Sequence, residues 1–580
     1  NLALRYLRSE VNTVFSDVLL REFNINDRLD RIAWEIYEAK ADVIGFSCYI
    51  WNLKEIVALI RQLHPVCPNA KFVVGGPEVS FEPEQFLLKH PEVDTVVIGE
   101  GEKTFLELLT QWESGNDLSQ ILGIAWNKHG KIIVNPRRIA ATDLNDLPDP
   151  YSKNEDFTGR LVYVETTRGC PFNCQYCLSS TSRGVRFLEP ARFRSMLRQI
   201  FKNGARTIKF VDRTFNANKR HAFRILDIVK EESLTLPENQ RIRVHCEMAG
   251  DLLDDEWMDY FRAYPSGLIQ LEIGVQSTHK PTLKIVSRPQ KFEKWKKYIP
   301  EMNVLGIPLH LDLIVGLPEE NWTNFRTSFN DVYHTQPSML QLGFLKVLKG
   351  SGLRQLSKHY RLVYMPDPPY TILETAVLSH SEIIQLHRIE DLLNKYYNSG
   401  KFAHALSEVL NLFPTPFDFY HGFAVFWEQC GWFHRQWQGK ALFDKLWEFI
   451  VEHQASCTTY QKVMTMEKIR DALRFDYYLW ERPNIIPDYL QFRACLDTKE
   501  NAKQLKNRQE EIRRDKSWEK LIPAFKQMDR RQWYRNTAVA CFSSDVLQPR
   551  KSSGPCWYLF HYQQGKVKAY RFQDEWSKGQ

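Results

Sequence analysis

Between about residues 160 and 350 the chain alternates short strand-like runs with amphipathic helices, and its strands carry polar residues at every second position. Arg243, His245 and Glu247 alternate with Ile242, Val244 and Cys246. Gln270, Glu272 and Gln276 alternate with Leu271, Ile273 and Val275, and His310 and Asp312 with Leu309, Leu311 and Leu313. Strands that alternate with helices pair in parallel. A parallel sheet covered on both faces reads as continuous apolar runs. This one does not, and period two collects its polar residues on one face. That face therefore looks into a cavity built for polar ligands. A partly closed (β/α)6 barrel meets this demand better than a filled eight-stranded barrel. One of its helices is legible from Phe193, Met196, Leu197, Ile200 and Phe201 on one side, with Gly204 beyond its end.

The most reactive segment follows the first strand-like run, 161–165. It reads Thr167-Arg168-Gly169-Cys170-Pro171-Phe172-Asn173-Cys174-Gln175-Tyr176-Cys177, a Cys-x3-Cys-x2-Cys loop. Three thiolates on one tight loop hold three irons of a 4Fe–4S cube and leave the fourth iron without a protein ligand. An open coordination position marks chemistry rather than stapling. Structural zinc takes four ligands, usually from Cys-x2-Cys pairs, and no other cysteine or histidine lies near enough in sequence to complete a set. The remaining cysteines, Cys48, Cys67, Cys246, Cys430, Cys457, Cys495, Cys541 and Cys556, are scattered. They read as reduced thiols of a cytosolic protein, too widely spaced for a second cluster.

Residues 1–135 form another α/β region. Strands are expected at 41–47, 72–77 and 95–98, and a helix at 54–64 with Ile56, Ile60 and Leu63 on one side. Glycines at the ends of doubly wound strands are a ligand-binding arrangement. Residues 136–160, with Pro136, Pro148 and Pro150, read as a linker. The barrel spans 161–355, ending near Gly350-Ser351-Gly352. The rest, 356–580, is mostly helical and aromatic: nine of the 16 tryptophans follow residue 400. They pack a core, or cap the barrel mouth and keep water from a reactive intermediate. Residues 557–561 and 567–572 read as a hairpin around Gln563-Gln564-Gly565.

Composition sets outer bounds. A length of 580 residues implies about three domains, and a net charge of +7 is compatible with an acidic substrate or RNA without requiring either. Residues 501–535 hold 11 Lys or Arg against 5 Asp or Glu. A solvated helix face accounts for that more simply than RNA stacked on Trp533 and Tyr534. The longest apolar stretch, about 43–53, is too short to cross a membrane, and no signal peptide is visible, so a cytoplasmic protein is expected. The first residue is Asn1 rather than methionine, so a few upstream residues are expected to be missing.

The cysteine loop, with Arg168 ahead of it and Tyr176 inside it, resembles the signature of the radical S-adenosylmethionine (SAM) superfamily. The resemblance implies that SAM chelates the open iron and is cleaved by one electron to a 5′-deoxyadenosyl radical. The strand ends at Asp212, Glu247, Glu272 to Ser277, and Asp312 to Pro318 look like the ligand-binding ends of those barrels. By that resemblance Tyr176, Asp212, Glu272, Gln276, Ser277, Ile314 and Gly316 bind SAM. Asp212 would lie near the methionine moiety, Glu272 and Gln276 near the ribose hydroxyls, and Ile314 and Gly316 beside adenine. The usual acidic pair after the second strand is reduced here to Asp212 followed by Arg213.

In the front region, Ile-Gly-Phe-Ser, Val-Gly-Gly-Pro and Ile-Gly-Glu-Gly-Glu look like the cobalamin-binding domain that precedes many of these barrels. The resemblance assigns Ser47, Gly75, Gly76, Glu100 and Gly101 to cobalamin or interdomain contacts. The first strand of that fold is expected ahead of Asn1. The Asp-x-His-x-x-Gly loop that gives cobalt a histidine elsewhere is absent, so any cobalamin here takes no histidine from this domain. The implied activity is cobalamin-dependent methylation or rearrangement of an unactivated carbon, with electrons from a donor such as flavodoxin or ferredoxin and a small-molecule or peptide substrate. Carbon–carbon coupling or redox chemistry over a vestigial front domain is the alternative, followed by a non-catalytic tetrapyrrole carrier. Methylthiolation of tRNA would need three more cysteines in the front domain, which has Cys48 and Cys67.

Overall fold

Phe72, Val73 and Val74 are consecutive, apolar and all buried, because the front sheet is covered on both faces. Phe72 and Val74 join a core with Ile56, Ile60 and Leu63. Val73 and Val97 join a second core with Leu108 and Trp126 on the other side. This sheet runs β1 (Val43–Ser47), β2 (Lys71–Gly75), β3 (Thr95–Val97), β4 (Ile124–Lys128), β5 (Lys131–Val134), in that order across the sheet. β1, β2 and β3 are parallel, and β4 and β5 extend the sheet as an antiparallel pair. The result is a Rossmann-like α/β layer.

The structure is a computed structural model and describes residues 1–572 apart from 129, 140–142, 152–154, 182–183, 289, 455–459, 492–497, 549–554 and 564–565. Cys457, Cys495 and the turn at Gln564-Gly565 lie outside the described residues. The chain divides into two compact units, Asn1–Ile384 and Gln385–Gln580.

The first unit also holds the barrel. Its strands are β6 (Leu161–Val164), the short hairpin β7 (Thr167–Gly169) and β8 (Val185–Phe187), then β9 (Thr207–Phe210), β10 (Arg243–Met248), β11 (Ile269–Gln276), β12 (Leu309–Val315) and β13 (Met339–Phe344). The six wall strands are ordered β13-β12-β11-β10-β9-β6, all parallel, with β6 and β13 as open edges. Val244, Cys246 and Met248 are buried outward, while His245 and Glu247 between them are half-buried on the inner face. β11 and β12 alternate in the same way. The period-two polar pattern is thus the lining of a partial (β/α)6 barrel. Two further short strands, β14 (Val363–Tyr364) and β15 (Ile372–Glu374), close this unit.

The second unit is mostly helical. Tyr396, Phe423, Trp427 and Phe449 form an aromatic core between its helices. An antiparallel sheet of β16 (Thr537–Phe542), β17 (Cys556–Gln563) and β18 (Lys566–Phe572) completes it. Trp533 is buried and donates its indole N–H to the Gln509 carbonyl at 3.2 Å, so it offers no stacking face to RNA. The Tyr534 hydroxyl donates to Glu510 at 2.7 Å.

Candidate functional site

The three loop cysteines line one cavity of about 230 Å³ at the carboxyl ends of the barrel strands. Phe172, Tyr176, Arg213, Thr214, Glu247, Glu272, Gln276, Arg288 and Asp312 share its wall. Local chemistry shapes the loop. Gly169 has φ of +104° and packs so tightly against the Gly184 carbonyl that a Cβ would sit 2.1 Å from it. Only glycine closes the β7–β8 hairpin there. Beyond it, the Cys177 amide donates to the Cys174 carbonyl at 3.0 Å, and the Ser179 amide points at the Cys177 sulfur at 3.4 Å. Thr214 Oγ1 lies 3.4 Å from the Cys170 sulfur, and Arg288 Nη1 donates to the Cys174 sulfur at 3.6 Å. Thiols ringed by amide, hydroxyl and guanidinium donors fit a cluster of thiolates, whose sulfurs accept such bonds.

The carboxyls around the cavity are set apart by their surroundings. Glu272 accepts from His245 Nε2 at 2.6 Å and from Lys209 Nζ at 3.0 Å. The His245 hydrogen bond, with the Lys209 charge behind it, holds its carboxyl at about 2. Asp312 is pushed up to about 8, first by burial and then by the Glu272 and Glu247 charges. Glu247 is raised as well, by burial and by Glu272. Among the described residues, Asp312 Oδ1 and Gln276 Oε1 are buried without hydrogen-bond partners. Buried polar atoms left unpaired are costly. Two of them on one cavity wall are what a site for a polar ligand such as SAM presents.

The end of β11 is deformed around them. Gln276 has φ of +67°, and the pairing with β12 shifts register between Gly274 and Gln276. Such strain in a non-glycine residue persists where surroundings enforce it. Arg288 Nη2 donates to the Gly274 carbonyl at 2.6 Å, and Gln290 Nε2 to the Ser277 carbonyl at 2.8 Å. The Gln276 amide folds back over Gly274, where a Cβ would meet its Nε2 at 2.0 Å.

Several residues expected at the ligand are occupied elsewhere. Asp212 is fully buried behind the loop; its carboxylate accepts from the Thr166 amide at 2.7 Å, the Thr166 hydroxyl at 2.5 Å and the Thr167 amide at 3.1 Å. Arg213, beside it, faces the cavity instead. Ser277 is fully buried and donates to Glu320 at 2.6 Å, away from the cavity. The room left by the absent side chain of Gly316 belongs to Ile372 of β15, which a Cβ would meet at 2.7 Å. Ile314 is half-buried on β12 and is not among the cavity-lining residues. Arg288 is a cavity residue that the sequence pattern does not single out, as are Ser179, Ser180 and Met248. Arg288 stands in the loop beyond the short helix Lys280–Ile285 that follows β11.

In the front sheet, Gly76 uses its missing side chain to approach Cys48, whose carbonyl a Cβ would meet at 2.5 Å. Gly75 and Gly101 lie in ordinary or close contact with Val97. Glu100 pairs with Arg186 at 3.0 Å and with Arg168 at 3.3 Å, so it bridges the sheet to the β7–β8 hairpin. Ser47, half-buried at the end of β1, accepts from Asn52 Nδ2 through its carbonyl at 3.0 Å. Gly99 differs: φ is +80° and nothing lies within 4 Å of where a Cβ would stand. Ser80 Oγ accepts from the Gly99 amide at 3.2 Å and donates to the Gly76 carbonyl at 2.8 Å, tying two strand-end loops together. An open glycine surface at parallel strand ends fits a large flat cofactor such as cobalamin.

Comparison with known proteins agrees with both halves of this site. A family model described as the Radical SAM superfamily matches residues 164–332, and one described as the B12 binding domain matches residues 1–109. A third, described as a protein of unknown function (DUF4080), matches residues 358–560. An uncharacterized methyltransferase of Pyrococcus horikoshii, PH0819, is 31% identical over 338 residues, covering 55% of this chain and 70% of that protein. The cobalamin-dependent radical SAM methyltransferase TokK of Streptomyces tokunonensis is 26% identical over 362 residues, 58% of this chain but only 52% of TokK. The solved structure of OxsB, a cobalamin-dependent SAM radical enzyme with aqua-cobalamin and SAM bound, shares the fold with a TM-score of 0.56 at 16% identity, over 84% of this chain and 79% of that one. Fold and cysteine loop together define a radical SAM enzyme. The chain belongs to the cobalamin-dependent radical SAM family, whose cofactors are a 4Fe–4S cluster, SAM and cobalamin. Among the described residues no helix is long and apolar enough to cross a membrane.

Proposed function

We propose that this enzyme transfers a methyl group to an unactivated carbon of its substrate. The observation that carries the reading is the similarity to the uncharacterized methyltransferase PH0819 over 338 residues, together with a cysteine loop that opens on a cavity with unpaired acceptors. Cys170, Cys174 and Cys177 hold the cluster; Glu272, Gln276, Asp312 and Tyr176 contact SAM; Gly99, with the strand-end loops at Ser47 and Gly76, receives cobalamin. When bound, the cluster supplies one electron for SAM cleavage and cobalamin carries the methyl group.

The chain's own residues position and exclude. Asp212 clamps Thr166 and Thr167 and so fixes the base of the cysteine loop. Glu272, ionised and anchored by His245 and Lys209, accepts from ribose hydroxyls without moving. Asp312, protonated at neutral pH, presents a neutral hydrogen bond to its ligand. Placement of this kind is the protein's share when cofactors perform the reaction. Electrons come from a low-potential donor such as a flavodoxin or ferredoxin.

The test is anaerobic turnover of reconstituted protein with cobalamin, a reductant and SAM. Methyl transfer through a radical gives both 5′-deoxyadenosine and S-adenosylhomocysteine. 5′-Deoxyadenosine without S-adenosylhomocysteine would exclude methylation and leave a rearrangement or coupling. Cys174→Ala should abolish 5′-deoxyadenosine formation, and a fully active variant would refute the cluster assignment.

A further inference from the structure

The proposed cluster and cobalamin sites stand on two separate sheets of the first unit, and among the described residues no strand belongs to both. Side chains must therefore set one sheet against the other. One attachment is the contact of Glu100 with the β7–β8 hairpin. A second lies in the loop after β2. Glu78, two residues beyond Gly76, is 3% exposed. Its carboxylate accepts from the Tyr370 hydroxyl and pairs with Lys349 Nζ at 3.3 Å; Lys349 also reaches Glu82 at 3.5 Å. Tyr370 is buried too, with Lys349 and Arg354 lying 5.8 and 5.1 Å from its ring centre. Its φ is +55°, a conformation that a tyrosine keeps where its surroundings enforce it. The Tyr370 carbonyl accepts from the Val347 amide at 3.0 Å. Gly350 then packs on Phe81 of the same front-sheet loop, whose ring a Cβ would meet at 2.2 Å. A few residues on, the chain reaches the cysteine loop. The Leu353 amide donates to the Gln175 carbonyl at 2.9 Å, and Gly352 leaves room for the Gln175 side chain, whose Oε1 a Cβ would meet at 1.8 Å. Gln175 stands between Cys174 and Tyr176. Residues 347–353 are thus a short strap, gripped by the front-sheet loop at one end and by the cysteine loop at the other.

We propose that Glu78, Lys349 and Tyr370 form a clamp that fixes the cobalamin site in place relative to the cluster site. The inference rests on the two cofactor assignments proposed above and goes beyond them, because it concerns where one site stands against the other rather than what either binds. A single attachment leaves two packed layers free to turn about it, and small interfaces within a chain permit such motion. A second attachment, on another loop, removes that freedom. Placement of this order matters, since a misplacement of about 1 Å costs on the order of 10²-fold in a reaction between bound partners. Lys349 neutralises the buried Glu78 carboxylate and the Tyr370 phenol orients it. None of the three lines the cavity, so they are positioning residues that act through the strap.

The experiment compares wild type, Tyr370→Phe and Lys349→Met. Each is reconstituted anaerobically with iron, sulfide and hydroxocobalamin, gel-filtered, and assayed for iron and corrinoid per chain. The cob(II)alamin form is frozen, and its cluster is reduced in the frozen state by irradiation, so that nothing moves. Two paramagnets are then present, and pulsed electron paramagnetic resonance reads their interaction, which depends steeply on the distance between them. In wild type the reduced cluster should speed the relaxation of cob(II)alamin by one well-defined factor. The variants should hold full iron and corrinoid, with that enhancement weakened several-fold or spread over a range of values. Tyr370→Phe removes a single oxygen and decides the matter if Lys349→Met fails to fold. A Tyr370→Phe protein with the wild-type enhancement overturns the inference. So does loss of iron or corrinoid from Tyr370→Phe, which would make the clamp a strut of one site rather than a link between two. Wild-type protein that takes up no cluster or no corrinoid would remove the cofactor assignments themselves, a different failure from an unchanged interaction.

Discussion

Asp312 and Glu272 face one cavity from neighbouring strands yet titrate in opposite directions. Glu272 sits at about 2 because His245 and Lys209 reach it. Asp312 sits near 8 because burial and two carboxylates oppose its charge. Between about pH 4 and 8 the native protein therefore keeps a proton on Asp312 that the unfolded chain has released. The native state binds more protons there, so this group makes stability fall as pH rises through that window. Asp312→Asn in the apoprotein should flatten the fall by up to about 1.4 kcal/mol per pH unit. Melting curves across that range check it; superimposable profiles for variant and wild type would disprove it. Asp212 and Glu320, both pushed up to about 7 by burial, keep their own share of the slope.

The β7–β8 hairpin that leads into the cysteine loop is held from the front sheet. Arg168 donates to Glu165 at 2.6 Å and to Glu102 at 2.9 Å, and lies 5.5 Å from the ring centre of Tyr6. Its side chain is 19% exposed, so water screens this network only in part. Arg168→Met leaves three carboxylates, Glu165, Glu102 and Glu100, facing one another without their shared cation. Removing one member of a largely buried ion network costs about 2–4 kcal/mol. The expected outcome is an earlier melt and a lower iron content after reconstitution, with Arg168→Lys recovering part of both. A Met variant that melts with wild type would show that the network does not brace the loop.

The proposed cluster and cobalamin sites lie at different strand ends of one compact unit, so each should fail separately. Gly99→Val puts a branched side chain into the open surface at a φ that such residues avoid. It should lower the corrinoid absorbance that the protein retains after gel filtration while leaving iron per chain unchanged. Equal corrinoid retention would move the cofactor away from Gly99, and simultaneous loss of iron would mean that the substitution unfolds the unit.

Periodicity carried the barrel because the side-chain period of a strand is a local property. The alternation of His310, Asp312 and their apolar neighbours needed nothing distant to be read, and neither did the spacing of Cys170, Cys174 and Cys177. The occupancy of each strand end was not local. Asp212 is taken by Thr166, Ser277 by Glu320, Gly316 by Ile372 and Glu100 by Arg186, each partner tens of residues away. Sequence fixes which residues stand at the end of a strand. Whether such a residue meets a ligand or another part of the chain depends on which distant element packs there first, and that was decided by the tertiary structure. The same holds for Arg288, an ordinary loop residue until the fold brings it beside Cys174.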